Sequence, residues 1–169
     1  MQVYIVIDPC ERIIFREAAT DRLLLWLRRT EVPLTGLRSL SAAAGWPPPT
    51  LAPGDFVAVA GFPAYMRERL ATAAVQFGCM TGIYQVTTVG AAYCVCQWER
   101  EEFLTLPDLC VPHVGVELGG MSGGPVLRIG AIAFPVVGVV SEFQSHFELL
   151  RIATFNGIHL EKLSEVILQ

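Results

Sequence analysis

The sequence predicts an all-β fold, an antiparallel barrel or sandwich. Three observations carry that expectation: apolar stretches recur along the chain, β-branched residues are frequent in them, and glycine or proline turns separate them. The stretches are "DFVAVAGFP", "RLATAAVQFGCMTGIYQVTTVG", "AAYCVCQWE", "PVLRI", "AFPVVGVVSEF" and "FELLRIATF". The composition agrees, with 53% hydrophobic against 17% charged residues, 15 glycines and 11 prolines. Such a balance favours a strand-rich globular chain over a disordered one. At 169 residues there is room for one domain, or two small and tightly joined ones, around a sizeable core.

Taken in order, "QVYIVID" is apolar and β-branched and reads as a strand. "RLLLWLRR", opened by Asp21, reads as a second strand, with a short helix as the alternative. Residues 33–54 change character: Pro33, a Ser/Ala-rich stretch and "GWPPPTLAPG" follow one another, and their prolines remove backbone donors that a central strand needs. This is the linker. "DFVAVAGFP" then alternates and stops at a Gly-Phe-Pro turn, and the strand-like stretches continue to residue 155. At the end, "HLEKLSEVIL" sets Leu160, Leu163 and Ile167 on one helical face. The chain accordingly divides into residues 1–32, 33–54, 55–155 and 156–169.

A net charge of −4 with no long basic run excludes the electrostatic footprint of a nucleic-acid binder. The opening "QVYIVID" lacks the pattern of a secretory signal, and no apolar run approaches the roughly 18 residues of a membrane span. The chain as written is expected to be soluble and cytoplasmic. Five cysteines, Cys10, Cys79, Cys94, Cys96 and Cys110, lack a zinc spacing and read as reduced, largely buried thiols. Cys94 and Cys96 alternate on one strand and should point the same way. No metal or organic cofactor is expected.

The segment that bears on function is "GVELGGMSGGPVL", residues 115–127. Ser122 stands there among glycines, either as a small residue in a tight turn or as a nucleophile. Acyl transfer needs a hydroxyl, a base to take its proton, and backbone N–H groups aimed at the oxyanion that develops. A glycine-lined turn can supply the hydroxyl and the donors, since the Gly120 and Ser122 amides can converge on one oxygen. Read as G-x-S-x-G, residues 120–124 would be the nucleophile elbow of an α/β-hydrolase, but that elbow needs a helix after it, and here a proline and "VLRI" follow.

Read as G-x-S-G-G-P, residues 120–125 resemble the nucleophile loop of chymotrypsin-like, or trypsin-fold, serine peptidases of bacterial type. The resemblance extends to "PGDFVAVAGFP", similar to the strand opening the second barrel, and to "VVGVVSEF", which falls where the family has "GIVSWG" and matches Ser141 to its substrate-lining serine. "TDRLLLWLR" is similar to the family's "NDIALLKL" and sets Asp21 at the triad aspartate, which orients the imidazole. What this implies is a double six-stranded antiparallel β-barrel. Residues 1–32 would be the remnant of an incomplete N-terminal barrel, 55–155 the C-terminal barrel, and 156–169 a short C-terminal helix. The catalytic residues implied are Ser122 and Asp21, with the oxyanion hole at Gly120 and Ser122 and a peptide or protein as substrate. The specificity pocket would be lined by Val116, Ser141 and Phe143, favouring small or apolar side chains, with Glu117 beside it.

The pattern departs from the family at the base. The triad histidine should precede the aspartate, yet the three histidines, His113, His146 and His159, all follow the linker. None matches the family's base position, so an isolated chain is expected to be nearly inactive. Half a barrel also leaves edges and apolar faces that dimerisation, rearrangement or an upstream segment would have to cover. Met121 replaces the aspartate that zymogen-activated members carry before the serine. The alternative to a peptidase domain is a peptidase-like pseudoenzyme that binds a peptide or protein without cleaving it.

Overall fold

The computed structural model describes residues 13–18, 22–25, 46–71, 74–98, 118–130 and 134–158. Among these the chain is all-β, its helical content confined to single 3-10 turns such as Ala64–Met66. Ten strands form: β1 (Ile13–Glu17), β2 (Arg22–Leu25), β3 (Phe56–Gly61), β4 (Arg67–Ala71), β5 (Ala74–Phe77), β6 (Met80–Val89), β7 (Tyr93–Gln97), β8 (Pro125–Arg128), β9 (Val136–Gln144) and β10 (Leu149–Thr154).

Six of them close into one antiparallel barrel in the order β10-β7-β6-β3-β8-β9. Within it β3, β6 and β7 run as one meander and β8, β9 and β10 as another, and β7 pairs β10 while β3 pairs β8. Closure leaves the barrel itself no free edge, which removes the main hazard of an all-β chain. Register shifts in β6–β7, β8–β9 and β9–β10 are the bulges by which a sheet bends sharply enough to close.

The sequence alternation explains which faces turn inward. Val57 and Val59 of β3, Cys94 and Cys96 of β7, and Leu150 and Ile152 of β10 have no exposed surface at all. Residues two apart on a strand share a face, so each pair fills the lumen together. Tyr84 stacks on Trp98 at 5.0 Å between ring centroids, and Trp98 meets Phe143 edge-on at 5.4 Å. Burying side chains of this size contributes about 1.5 to 3 kcal/mol each. The barrel core is therefore the dominant source of stability.

At the β3–β8 seam, Asp55 holds the first turn of the barrel together. Its carboxylate accepts the Ala52 N–H at 2.9 Å and the Arg128 guanidinium at 3.0 Å. The Ala52 hydrogen bond, with help from Arg128, keeps the carboxyl below its ordinary range, against a smaller opposing effect of burial.

Two small hairpins lie outside the barrel ladder: β1 pairs β2, and β4 pairs β5. The expected strand at "RLLL" is present as β2. β1 at "IIFRE" and the separate β4–β5 hairpin were not distinguished in the sequence, where residues 69–90 read as one continuous stretch. The expected first strand "QVYIVID", most of the linker and the C-terminal helix fall outside the described residues. What the fold establishes is one closed six-stranded barrel. Among the described residues no helix is long and apolar enough to cross a membrane.

Candidate functional site

The Ser122 turn sits at the barrel's closing seam because of the strand order. β8 must lie between β3 and β9, so the residues just before β8 are pressed between the end of one and the middle of the other. Three sets of backbone hydrogen bonds hold it. Ala64 donates to the Gly119 carbonyl at 2.6 Å, Gly123 donates to Val140 at 2.8 Å, and Val140 donates back to Gly124 at 2.9 Å. Within the turn, Met121 donates to Leu118 and Gly124 to Met121.

Three glycines are required by this geometry, Gly123 by its φ of +82° alone. Gly120 has φ +94°, a conformation that side chains disfavour, and a Cβ there would meet the Phe62 carbonyl oxygen at 2.8 Å. Gly124 packs so closely on β3 that a Cβ would overlap the Ala60 carbonyl oxygen. Met121, between Gly120 and Ser122, points the other way. It is 1% exposed and lies over Gly61, so it plugs the turn into the core. Met121 is thus a packing residue.

This arrangement leaves particular groups accessible. Ser122 and Gly120 are exposed, and among the described residues their N–H groups find no backbone acceptor. Unsatisfied donors at the surface of a rigid turn can bind a carbonyl oxygen or an anion. The Ser122 hydroxyl donates to the Ser141 carbonyl at 3.3 Å. That carbonyl belongs to a bulge, because Arg151 pairs Glu142 and Ile152 pairs Val140, leaving Ser141 as the extra residue of β9. The Ser141 hydroxyl in turn donates to the Arg151 carbonyl at 3.2 Å.

The structure therefore brings Gly120, Ser122 and Ser141 together. Phe143, which the bulge turns inward, is half-buried with its ring against Trp98. Asp21 and Val116 lie outside the described residues, as do His113 and His159. His146 stands exposed in the β9–β10 turn with its ring edge-on to Phe147, and no hydrogen bond joins it to Ser122. Among the described residues no three of His, Cys, Asp and Glu are grouped to hold a metal ion.

A concavity adjoins the turn. An open pocket of about 360 Å³ is lined by Phe62, Ala64, Arg67, Phe77 and Gly120. Nothing in the sequence marks it, although "GFP" places an aromatic residue beside a turn and the hairpin ends in a second one at Phe77. The missing signal is pairing: only folding brings Phe62 and Phe77 to 6.4 Å, edge to face.

Comparison with family models, with curated proteins and with solved structures finds no match to this chain.

Proposed function

We propose that this chain carries the nucleophile half of a trypsin-like serine peptidase site. The observation that carries the reading is the hydrogen-bonded turn in which exposed Ser122 sits beside two N–H groups, its own and that of Gly120, which find no backbone acceptor among the described residues. A closed six-stranded antiparallel barrel presenting "GMSGGP" just before β8 is also what the resemblance implies for the second barrel of such an enzyme.

In this reading the Ser122 oxygen attacks a peptide carbonyl carbon while a histidine contributed from outside these residues takes its proton. The Gly120 and Ser122 amides hold the oxyanion. The C–N bond then breaks, the proton passes to the departing amine, and water hydrolyses the Ser122 ester. Asp21 would orient the imidazole, and the specificity pocket would fall at Val116, Ser141 and Phe143.

One observation favours the second reading, a pseudoenzyme that binds peptide without cleaving it. The Ser122 hydroxyl donates to a backbone carbonyl, which cannot act as a base. Covalent labelling of the purified chain by a fluorophosphonate, compared with Ser122→Ala, decides between them. Labelling lost in the variant establishes an activated serine. A folded chain that stays unlabelled, even when mixed with the segment expected to carry the histidine, supports the binding module.

A further inference from the structure

We infer that the pocket beside Gly120 binds an apolar side chain of an extended peptide, followed by an acidic residue, on the leaving-group side of Ser122. The assignment of sides rests on the acyl-transfer reading. The pocket's preference does not.

The turn spans two environments within three residues. At Ser122 it touches β9 through the Ser141 carbonyl, and at Gly120 it forms part of the pocket with Phe62. A peptide whose carbonyl oxygen rests on the Gly120 and Ser122 amides therefore has one half over β9 and the other over Phe62 and Phe77. The Ala64 N–H bond to the Gly119 carbonyl and the close approach of Gly120 to the Phe62 backbone set the pocket's position relative to Ser122.

The lining defines the occupant. Phe62 is 56% and Phe77 54% exposed, so two aromatic rings face solvent across a cavity wide enough for a leucine or phenylalanine side chain. Isolated exposed apolar residues are ordinary, but a facing pair around a concavity is a binding surface. Among the described residues the one charged group lining it is Arg67, whose guanidinium lies 5.5 Å from the Phe77 ring centroid. Stacked there it remains free to receive a carboxylate at the rim, and its positive charge excludes a basic neighbour.

The test is fluorescence anisotropy of the full chain with labelled alanine-based peptides carrying a central Leu-Asp, Ser-Asp, Leu-Asn or Leu-Lys pair. Leu-Asp should bind about tenfold more tightly than Ser-Asp. Phe77→Ala and Phe62→Ala should each erase that preference, and Arg67→Gln should erase the preference for Asp over Asn. Binding should shift the Gly120 amide resonance. Equal binding of Leu-Asp and Ser-Asp, or a preference that survives both phenylalanine variants with circular dichroism unchanged, overturns the proposal. So does self-association of the chain that Phe77→Ala abolishes, since a second copy would then fill the pocket. Failure of fluorophosphonate labelling would sink the enzymatic reading while the peptide preference stands or falls separately.

Discussion

Replacing the glycines of the Ser122 turn one at a time separates backbone strain from space. Gly119 has no atom within 4 Å of an added Cβ and no positive φ, so Gly119→Ala should leave stability equal or raise it by up to about 1 kcal/mol, through the lower entropy of the unfolded chain. Gly120→Ala forces a side chain onto φ +94° and onto the Phe62 oxygen at 2.8 Å and the Ala64 nitrogen at 3.1 Å. Strain of this kind costs about 1 to 3 kcal/mol. Gly124→Ala is worse, because its Cβ would overlap the Ala60 carbonyl oxygen outright, a closer approach than either backbone contact at Gly120. Overpacking adds about 1 to 3 kcal/mol. The hydrogen bonds from Gly124 to Met121 and from Val140 to Gly124 would weaken as well, at about 1 kcal/mol each. The expected loss is about 3 to 5 kcal/mol. Urea unfolding followed by the fluorescence of buried Trp98 reads the series. With a slope of about 2 kcal/mol per molar, Gly124→Ala should lower the midpoint by roughly 2 M, Gly120→Ala by less, and Gly119→Ala by nothing. Coincident midpoints for Gly119→Ala and Gly124→Ala would refute the argument that the turn is wedged against β3.

Asp55→Asn should lower stability at neutral pH by less than about 1 kcal/mol, since the ion pair with Arg128 is partly solvated. The folded carboxyl titrates below its unfolded value, so its contribution is complete above about pH 4 and disappears as pH falls through the folded value. Parent and variant should differ in urea midpoint at pH 7 and converge at low pH; a difference that persists below pH 2 would mean that charge is not its source. Alkylation under native conditions should modify exposed Cys79 and spare Cys94 and Cys96, which react only after unfolding. The hydrogen bond with Cys94, together with burial, pushes the Cys96 thiol up and keeps it protonated. Peptide mapping by mass spectrometry checks it, and native modification of Cys96 would show that the barrel opens.

Much of the barrel was legible because alternation is a local signal. "DFVAVAG" and "YCVCQ" announce both the strand and its inward face, and Val57, Val59, Cys94 and Cys96 are where that pattern puts them. The order of strands was not, since it depends on which edges meet at closure. β9 shows the intermediate case. "VVGVVSEF" reads as one strand, but its inward residues Val137, Val140 and Phe143 recur at three rather than two, a broken alternation that is the trace of its register shifts. The glycines and serine of residues 119–124 announced a special turn, and the positive φ of Gly120 and Gly123 shows one. The neighbouring pocket was invisible, because Phe62 and Phe77 belong to different elements and nothing in the sequence specifies that they meet.

The seam that holds the Ser122 turn has a consequence in time. Its hydrogen bonds tie Gly119 to Ala64 and Gly124 to Val140, partners that lie far apart along the chain or emerge later in synthesis. Contacts of long sequence separation form slowly. During translation the serine would be exposed on an unorganised segment until β9 follows it out, and only then would the two amides become rigid. The ordered turn would therefore appear late, only once the strands that follow it have joined the barrel.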